Sequence, residues 1–170
     1  MYVRGLLQLF KRYKMSEKLT SCQIKYALMS YFRFTRQWIC ASECMDNDVM
    51  VLGNKGIIEV EVKVSKYDLW KGEARKPKHA RWKEESSRYY RPNKFYICTE
   101  KHLIEEATKW VEETNSKYGI IEAFEHSVYI RKKAVLLHKN ISPYIPQKIM
   151  MRVCSENIGL MGRMIREEIK

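Results

Sequence analysis

The sequence has few of the features by which many protein classes are recognised. Its seven glycines form no phosphate-binding glycine-rich loop, and no internal repeat is present. Its five cysteines are scattered and include no paired CxxC motif, which argues against a disulfide framework and against a structural zinc site. No apolar run is long enough for a transmembrane helix. These absences argue against glycine-loop nucleotide-binding, zinc-ribbon, secreted and membrane-spanning proteins.

Composition indicates a folded domain with an extension at each end. Hydrophobic residues make up 45% and aromatic residues 12% of the 170-residue chain, which is enough for a proper core. We predict a basic N-terminal extension over residues 1–19, an α/β core over residues 20–140 and a C-terminal helical extension over residues 141–170. Cys40 and Cys98 lie in apolar, strand-like runs and are predicted to be buried free thiols. A reducing cytoplasm, or a host cell's cytoplasm for a viral protein, suits them.

The net charge of +12 indicates a polyanionic partner. The charge is concentrated between residues 71 and 94, where nine Lys or Arg accompany three Glu. The residues predicted to bind nucleic acid are Lys71, Arg75, Lys76, Lys78, Arg81, Trp82, Lys83, Arg88 and Arg91. The cations would neutralise phosphates, the aromatic rings would stack on unpaired bases, and His79 would add a phosphate contact. A solvated loop is the alternative, whereas the lack of a long apolar face argues against a membrane partner.

Two neighbouring segments predict a β-hairpin. Residues 48–52 and 57–64 are rich in apolar and β-branched residues, and residues 53–56 between them have turn chemistry. If Leu52 pairs with Ile57 across this turn, the pairing of every other residue in the hairpin follows. A slip of one residue would send facing side chains to opposite faces of the sheet.

In this register Asp48 lies opposite Glu61. Directly opposed side chains share a face, with Cβ atoms about 4.5–5.5 Å apart. Two carboxylates at that distance suit a hard cation such as Mg²⁺ or Mn²⁺. Lys63 falls on the same face, where it would orient a water or stabilise charge on a phosphate. The plainer alternative is a strand with one buried and one solvated face, because polar and apolar residues alternate from Ile58 to Ser65.

Asp48, followed by Glu61-Val62-Lys63-Val64-Ser65 and then Asp68, resembles the motif of the PD-(D/E)XK nuclease superfamily. Within that superfamily the chain is most similar to MmcB-like DNA-repair proteins, over residues 24–138. The resemblance implies a restriction-endonuclease-like mixed β-sheet flanked by helices. It also implies Mg²⁺ or Mn²⁺ as the cofactor, held by Asp48, Glu61 and a backbone carbonyl near Val62, with Lys63 as the catalytic lysine.

Three further residues have supporting roles by the same resemblance. Ser65 and Asp68 follow the catalytic lysine in the motif. The superfamily often carries a Glu on its first helix that reaches the metal, and Glu43 is the candidate here, although its position after an apolar run also allows it to end a strand. Asn47 stands where the short motif often has Pro.

The predicted order of elements is helix, three strands, basic segment, strand, helix, two strands and a C-terminal helix. Thr20 or Ser21 is expected to cap the first helix and Thr99 the later one. The C-terminal helix is predicted from Gln147 onward, with its methionines packed on the core or on a second subunit.

We therefore expect a metal-dependent nuclease that hydrolyses DNA phosphodiester bonds, in DNA repair, recombination or the processing of phage or mobile-element DNA. The alternative is a nuclease-like fold that binds nucleic acid without cutting it. RNA remains an alternative substrate, and a homodimer is left open.

Overall fold

The protein is described by a computed structural model covering residues 18–83 and 90–168. The N-terminal extension predicted over residues 1–19 lies almost entirely outside the described residues, and so does Arg88. Within the described ranges, no helix combines the length and apolar character needed to cross a membrane.

A six-stranded mixed β-sheet forms the centre of the fold, with its strands side by side in chain order. The strands are β1 (Ile39–Cys44), β2 (Asn47–Gly53), β3 (Gly56–Val62), β4 (Lys94–Thr99), β5 (Gly119–Ala123) and β6 (Val128–Lys132). The first three form an antiparallel meander, β3, β4 and β5 run parallel, and β6 returns antiparallel to β5. The expected α/β class, a mixed sheet flanked by helices, is confirmed, and the elements follow the predicted order.

Helices cover both faces of the sheet. They are α1 (Ser21–Ser30), continued by a π-helical turn (Tyr31–Thr35), α2 (Lys78–Arg81), α3 (Ile104–Thr114) and α4 (Tyr144–Glu168). One face is covered by α1, whose Ile24 and Leu28 join a core with Val60. On the other face α3 packs over β4 and β5, and the start of α4 packs over β1 and β2. Between these two helices, β3 is covered by short helical turns over Asp68–Gly72 and Glu73–Arg75 and by α2.

The β2–β3 hairpin has the predicted register. Leu52 pairs with Ile57 and Val49 with Val60, on either side of a turn that ends at Gly56. This register places Asp48 next to Glu61, as the geometry of the proposed site requires.

The helix ends were predicted with mixed success. Thr20 caps α1 through a capping box with Gln23, as expected. The prediction that Thr99 caps the later helix is wrong, because Thr99 is the last residue of β4. Its hydroxyl donates to the carbonyl oxygen of Lys63 at 2.7 Å, which ties β4 to the end of β3.

The C-terminal helix begins at Tyr144, three residues earlier than predicted. Pro146 is accommodated because it lies in the first turn, where its missing N–H has no helical partner to lose. Ile145 and Ile149 bury this end of α4 against the sheet. The methionines were predicted to pack on the core or on a second subunit. Packing on the core is wrong, because all four are largely exposed, namely Met150, Met151, Met161 and Met164, and packing on a second subunit stays a prediction.

Replacing Gly56 by alanine should destabilise the fold. Gly56 has φ of +114°, and an added Cβ would overlap the side chain of Asn93, whose Oδ1 accepts from the Ile57 N–H at 2.7 Å. We expect the free energy of unfolding in urea to fall by about 1–3 kcal/mol from the backbone conformation alone.

Gly159→Ala is the matched control, because Gly159 lies in α4 with its nearest neighbour, the Arg163 guanidinium, 3.9 Å from an added Cβ. It should leave stability unchanged or raise it by about 0.5–1 kcal/mol. Equal effects of the two substitutions would contradict the hairpin geometry.

Candidate functional site

Asp48 and Glu61 are held side by side on β2 and β3. The Asp48 Oδ2 atom accepts a hydrogen bond from the Val62 backbone N–H at 2.9 Å, which locks the Asp48 carboxylate against β3. Glu61 is 1% exposed, whereas the Asp48 side chain retains 20% of its exposure. The alternative of a half-solvated β3 is wrong, because all its residues from Gly56 to Val62 are buried.

A carboxylate–lysine cluster surrounds Glu61. Its members are Glu59, Glu61, Glu73, Lys63, Lys76 and Lys78. Lys76 Nζ lies 2.7 Å from Glu61 Oε2 and 2.9 Å from Glu73 Oε2. Lys63 Nζ lies 2.9 Å from Glu73 Oε2 and 3.4 Å from Glu61 Oε2. Three buried carboxylates are therefore matched by three ammonium groups.

Lys78 joins the two ends of this cluster. Its Nζ atom lies 2.6 Å from Glu59 Oε1, contacts Glu61 Oε1 and lies 3.3 Å from Glu73 Oε1. Since residues 59 and 61 lie on the same face of β3, one ammonium group spans both.

The chain segment after β3 folds back over that strand and places Lys76 and Lys78 beside its carboxylates. Its first helical turn starts at Ser65, whose hydroxyl accepts from the Asp68 N–H at 3.1 Å, and Asp68 Oδ1 lies 3.7 Å from Lys63 Nζ. The short helices that follow place Glu73 over β3, where it is 0% exposed. Asp68 thus lies near Lys63, and Ser65 caps the turn that carries Asp68. Their supporting roles remain a prediction.

His79 anchors Glu73 from the other side. Its Nε2 atom lies 2.8 Å from Glu73 Oε1, and its Nδ1 atom lies 2.9 Å from the Tyr118 hydroxyl. Its ring packs edge-on against Phe95 and Trp110 in the core. The predicted phosphate contact of His79 is therefore wrong, because the side chain is buried and fully engaged.

Burial sets the protonation of the carboxylates. It raises the pKa of Glu59 to about 7, against the opposing charge of Lys78. Burial and the neighbouring charge of Glu73 also raise the pKa of Glu61. Burial alone would raise the pKa of Glu73 too, but the hydrogen bond from His79 and the three lysines outweigh it and lower that pKa well below its usual range.

Lys63 stays positively charged in these surroundings. Burial alone would lower its pKa, but the carboxylates of Glu73 and Glu61 outweigh burial and raise it. Lys63 therefore offers a cation and hydrogen-bond donors rather than a base.

A second ion-pair group lies on the outer side of Asp48. Lys25 of α1 places its Nζ atom 2.8 Å from Asp48 Oδ1 and also pairs with Glu43. Although burial alone would raise the pKa of Asp48, Lys25 and the Val62 N–H lower it. Glu43 belongs to β1 and not to a helix, so the first helix directs a cation at Asp48 where the resemblance implied an acid.

The predicted nucleic-acid-binding residues separate into two groups. Lys71, Arg75, Arg81 and Lys83 are exposed, Arg91 is half-buried, and Arg88 lies outside the described residues. Lys76 and Lys78 instead point into the carboxylate–lysine cluster. The prediction that Trp82 is an exposed stacking ring is wrong, because it is 6% exposed and packs edge-on against Phe95.

The donor atoms of Asp48 and Glu61 fit a divalent cation in their chemistry, since hard carboxylate oxygens suit Mg²⁺ and Mn²⁺. The ammonium groups of Lys25 and Lys76 pair with Asp48 Oδ1 and Glu61 Oε2, the oxygens that a metal ion held there would need. Over residues 18–83 and 90–168, no group of three or more His, Cys, Asp or Glu side chains is arranged to hold a metal. Two carboxylates are thus the available side-chain ligands.

Sequence reasoning missed Lys25, Glu59 and Glu73. The alternation from Ile58 to Ser65 favours a solvent-facing Glu59, and Glu73 is one of only three acids in the basic segment. The sequence carries only a weak signal for the role of Glu73. It is an acid in a basic segment, followed by Lys76 three residues later and by His79 six residues later.

Comparison with known proteins supports the fold and does not extend to function. No family model matches the chain, and no curated protein matches it. A similar solved structure is described as SPO1766 protein of unknown function from Silicibacter pomeroyi. It has 17% sequence identity and a TM-score of 0.64, with 85% of this chain and 94% of that one covered. At this identity the likeness shows a shared fold alone.

Stability should fall as the pH rises from about 4.5 to about 7. In this range the folded state holds a proton on Glu59 that the unfolded chain releases, so raising the pH favours unfolding. Glu59→Gln should flatten the dependence, as measured by urea unfolding at pH 5, 6 and 7.

Glu105→Gln, which replaces an exposed carboxylate on α3, is the control and should keep the parent slope. The same slope in Glu59→Gln as in the parent would contradict the buried, proton-holding state of Glu59.

Proposed function

We propose that the protein is a Mg²⁺- or Mn²⁺-dependent nuclease that hydrolyses DNA phosphodiester bonds, in repair, recombination or mobile-element DNA processing. The observation that carries this proposal is the hairpin register, which sets Asp48 beside Glu61 with Asp48 Oδ2 fixed on the Val62 N–H. Lys63 directly follows β3, and its Nζ atom lies 3.4 Å from Glu61 Oε2. This is the arrangement of acids and lysine that the PD-(D/E)XK resemblance implies.

Asp48 Oδ1 and Glu61 Oε2 would hold the ion, because their nearest partners are side chains that retain exposure, at 18% for Lys25 and 35% for Lys76. The buried Lys63 lies farther from Glu61 Oε2, at 3.4 Å. When bound, a divalent ion lowers the pKa of a water and offsets charge on the phosphate. Lys63, held protonated by Glu61 and Glu73, would stabilise the negative charge that develops on the phosphoryl oxygens. Glu73 and Asp68 would keep the Lys63 ammonium in place.

The exposed cations of the basic segment would hold the DNA backbone. Lys71, Arg75, Arg81 and Lys83 belong to the segment that folds over β3, so phosphates bound to it would pass close to Glu61. A cytoplasmic location belongs to the same proposal, because Cys40 and Cys98 are buried free thiols.

The second candidate is a module that binds nucleic acid without cutting it. One observation favours it: each carboxylate oxygen of Asp48 and Glu61 already has a lysine or backbone N–H partner. A binder would keep these ion pairs as structure and use only the exposed cations. Dependence on metal separates the two candidates.

Glu61→Gln and Lys63→Met should each lower metal-dependent cleavage by more than about a hundredfold, because each removes charge from the reacting centre. Cleavage is measured on single-stranded, duplex and branched DNA with Mg²⁺, Mn²⁺ or EDTA. Glu122→Gln is the matched control, since Glu122 is as deeply buried as Glu61 but pairs with Arg131 outside the carboxylate–lysine cluster. Undiminished cutting by purified Glu61→Gln protein would refute the nuclease assignment.

Lys76→Met should tighten the binding of Mn²⁺ in the absence of DNA. Its ammonium is the nearer of two at Glu61 Oε2, at 2.7 Å against 3.4 Å for Lys63, so its removal lowers the competition for that oxygen. We expect affinity to rise about tenfold, or about 1.4 kcal/mol, by electron paramagnetic resonance of Mn²⁺. Lys71→Met controls for the general loss of positive charge, because Lys71 is exposed. Identical affinities in the two variants would place the ion away from Glu61.

A further inference from the structure

A groove of about 470 Å³ opens beside the carboxylate–lysine cluster. We call it the Glu59 groove, and the residues of its lining used below are Met45, Glu59, Lys78, Trp82 and Tyr90. Its volume lies within the range of about 300–1,000 Å³ that is usual for ligand sites.

The Glu59 groove is adjacent to the proposed cutting site. Glu59 precedes Glu61 by two residues on the same face of β3, which is about 7 Å along a strand. Lys78 joins the two positions, because its Nζ atom contacts both carboxylates. A ligand in the groove would therefore be a close neighbour of a phosphate at Asp48 and Glu61.

The walls of the groove suit a flat, aromatic ligand. Trp82 forms part of its buried lining, where the Trp82 Nε1–H donates to the Tyr90 carbonyl at 3.0 Å. Tyr90 is half-buried, and its hydroxyl contacts the Met50 sulfur, so the ring is held in a fixed position. Met45, at 36% exposure, adds a polarisable side chain at the rim. Trp82 is too buried to stack on a ligand itself, so the stacking surface is the half-buried Tyr90 ring, with Met45 beside it. Aromatic rings stack on nucleobases with little regard to sequence.

The floor of the groove carries an acceptor that lacks a partner. Glu59 is 0% exposed, and its Oε1 atom is bound by Lys78 at 2.6 Å. Its Oε2 atom has no hydrogen-bond partner within the described part of the chain. A buried acceptor left unpaired is costly, so a ligand that donates a hydrogen bond here is favoured. In nucleic-acid complexes, a Glu carboxylate accepts a hydrogen bond from the amino group of cytosine.

We propose that the Glu59 groove binds one unpaired, amino-bearing nucleobase of the strand whose phosphate lies at Asp48 and Glu61. This inference rests on the proposed function, and it names the substrate class as DNA with a single-stranded nucleotide next to the cut. A base stacked and paired within a duplex has both faces and its pairing edge covered, so it must leave the helix to enter the groove. Thymine is disfavoured, because its O4 acceptor would face the Glu59 carboxylate.

The test is equilibrium binding in EDTA at pH 8, where no cutting occurs, measured by calorimetry. The probes are the octamers dC8 and dT8 and an octamer of the same charge made only of abasic nucleotides. We expect the parent protein to bind dC8 about tenfold more tightly than dT8, and the abasic octamer more weakly than either. Glu59→Gln should reduce the preference for dC8 over dT8 to about onefold, because an amide both donates and accepts hydrogen bonds.

A second variant, Tyr90→Leu, should weaken dC8 and leave the abasic octamer unchanged, since leucine keeps the apolar bulk and loses the flat ring. Circular dichroism checks that both variants fold. Equal binding of dC8 and the abasic octamer by the parent, or an unchanged dC8 preference in Glu59→Gln, would overturn the proposal. Base-dependent binding without metal-dependent cutting would instead support the groove proposal and refute the nuclease assignment.

Discussion

The pairing of buried carboxylates with lysine ammonium groups is the interaction on which the centre of this structure depends. Glu59, Glu61 and Glu73 are each no more than 1% exposed, and an unpaired charge at such depth would be prohibitive. Breaking one buried pair by removing a partner typically costs about 3–5 kcal/mol. Ion pairs therefore fix residues 73–78 of the segment after β3 against that strand, in addition to the apolar contacts of Leu69 and Trp82.

This arrangement links the fold to the proposed chemistry. A protein that only needed a stable core would gain as much from apolar residues at these positions. The acids instead lie at the end of the β2–β3 hairpin, beside an exposed set of cations and an open groove. In the absence of substrate, lysine ammonium groups neutralise the acids. Those that pair with the ligand oxygens would have to move away when a divalent ion binds. Metal binding, if the proposed function holds, would thus be coupled to displacement of the Lys25 and Lys76 ammonium groups.

The hairpin was predictable from sequence, whereas the cluster was not. Period-two alternation and the Gly53–Gly56 turn determine the register of β2 against β3, so the neighbourhood of Asp48 and Glu61 followed directly. Lys25, Glu73 and Lys78 come from three segments joined by irregular turns, and no local pattern predicts which charged side chains will meet. The prediction for Trp82 is wrong for a related reason. Trp82 follows His79 by three residues at the end of a short helix, so both side chains lie on the face that packs against the core.

The central claim is that Asp48 and Glu61 hold a divalent ion, and anomalous X-ray diffraction from crystals grown with Mn²⁺ tests it most directly. The account predicts an anomalous peak between the two carboxylates, within about 2.0–2.3 Å of an oxygen from each. It also predicts that the Lys25 and Lys76 ammonium groups withdraw from those oxygens. A structure at saturating Mn²⁺ with no peak there, and with both lysine pairs intact, would contradict it.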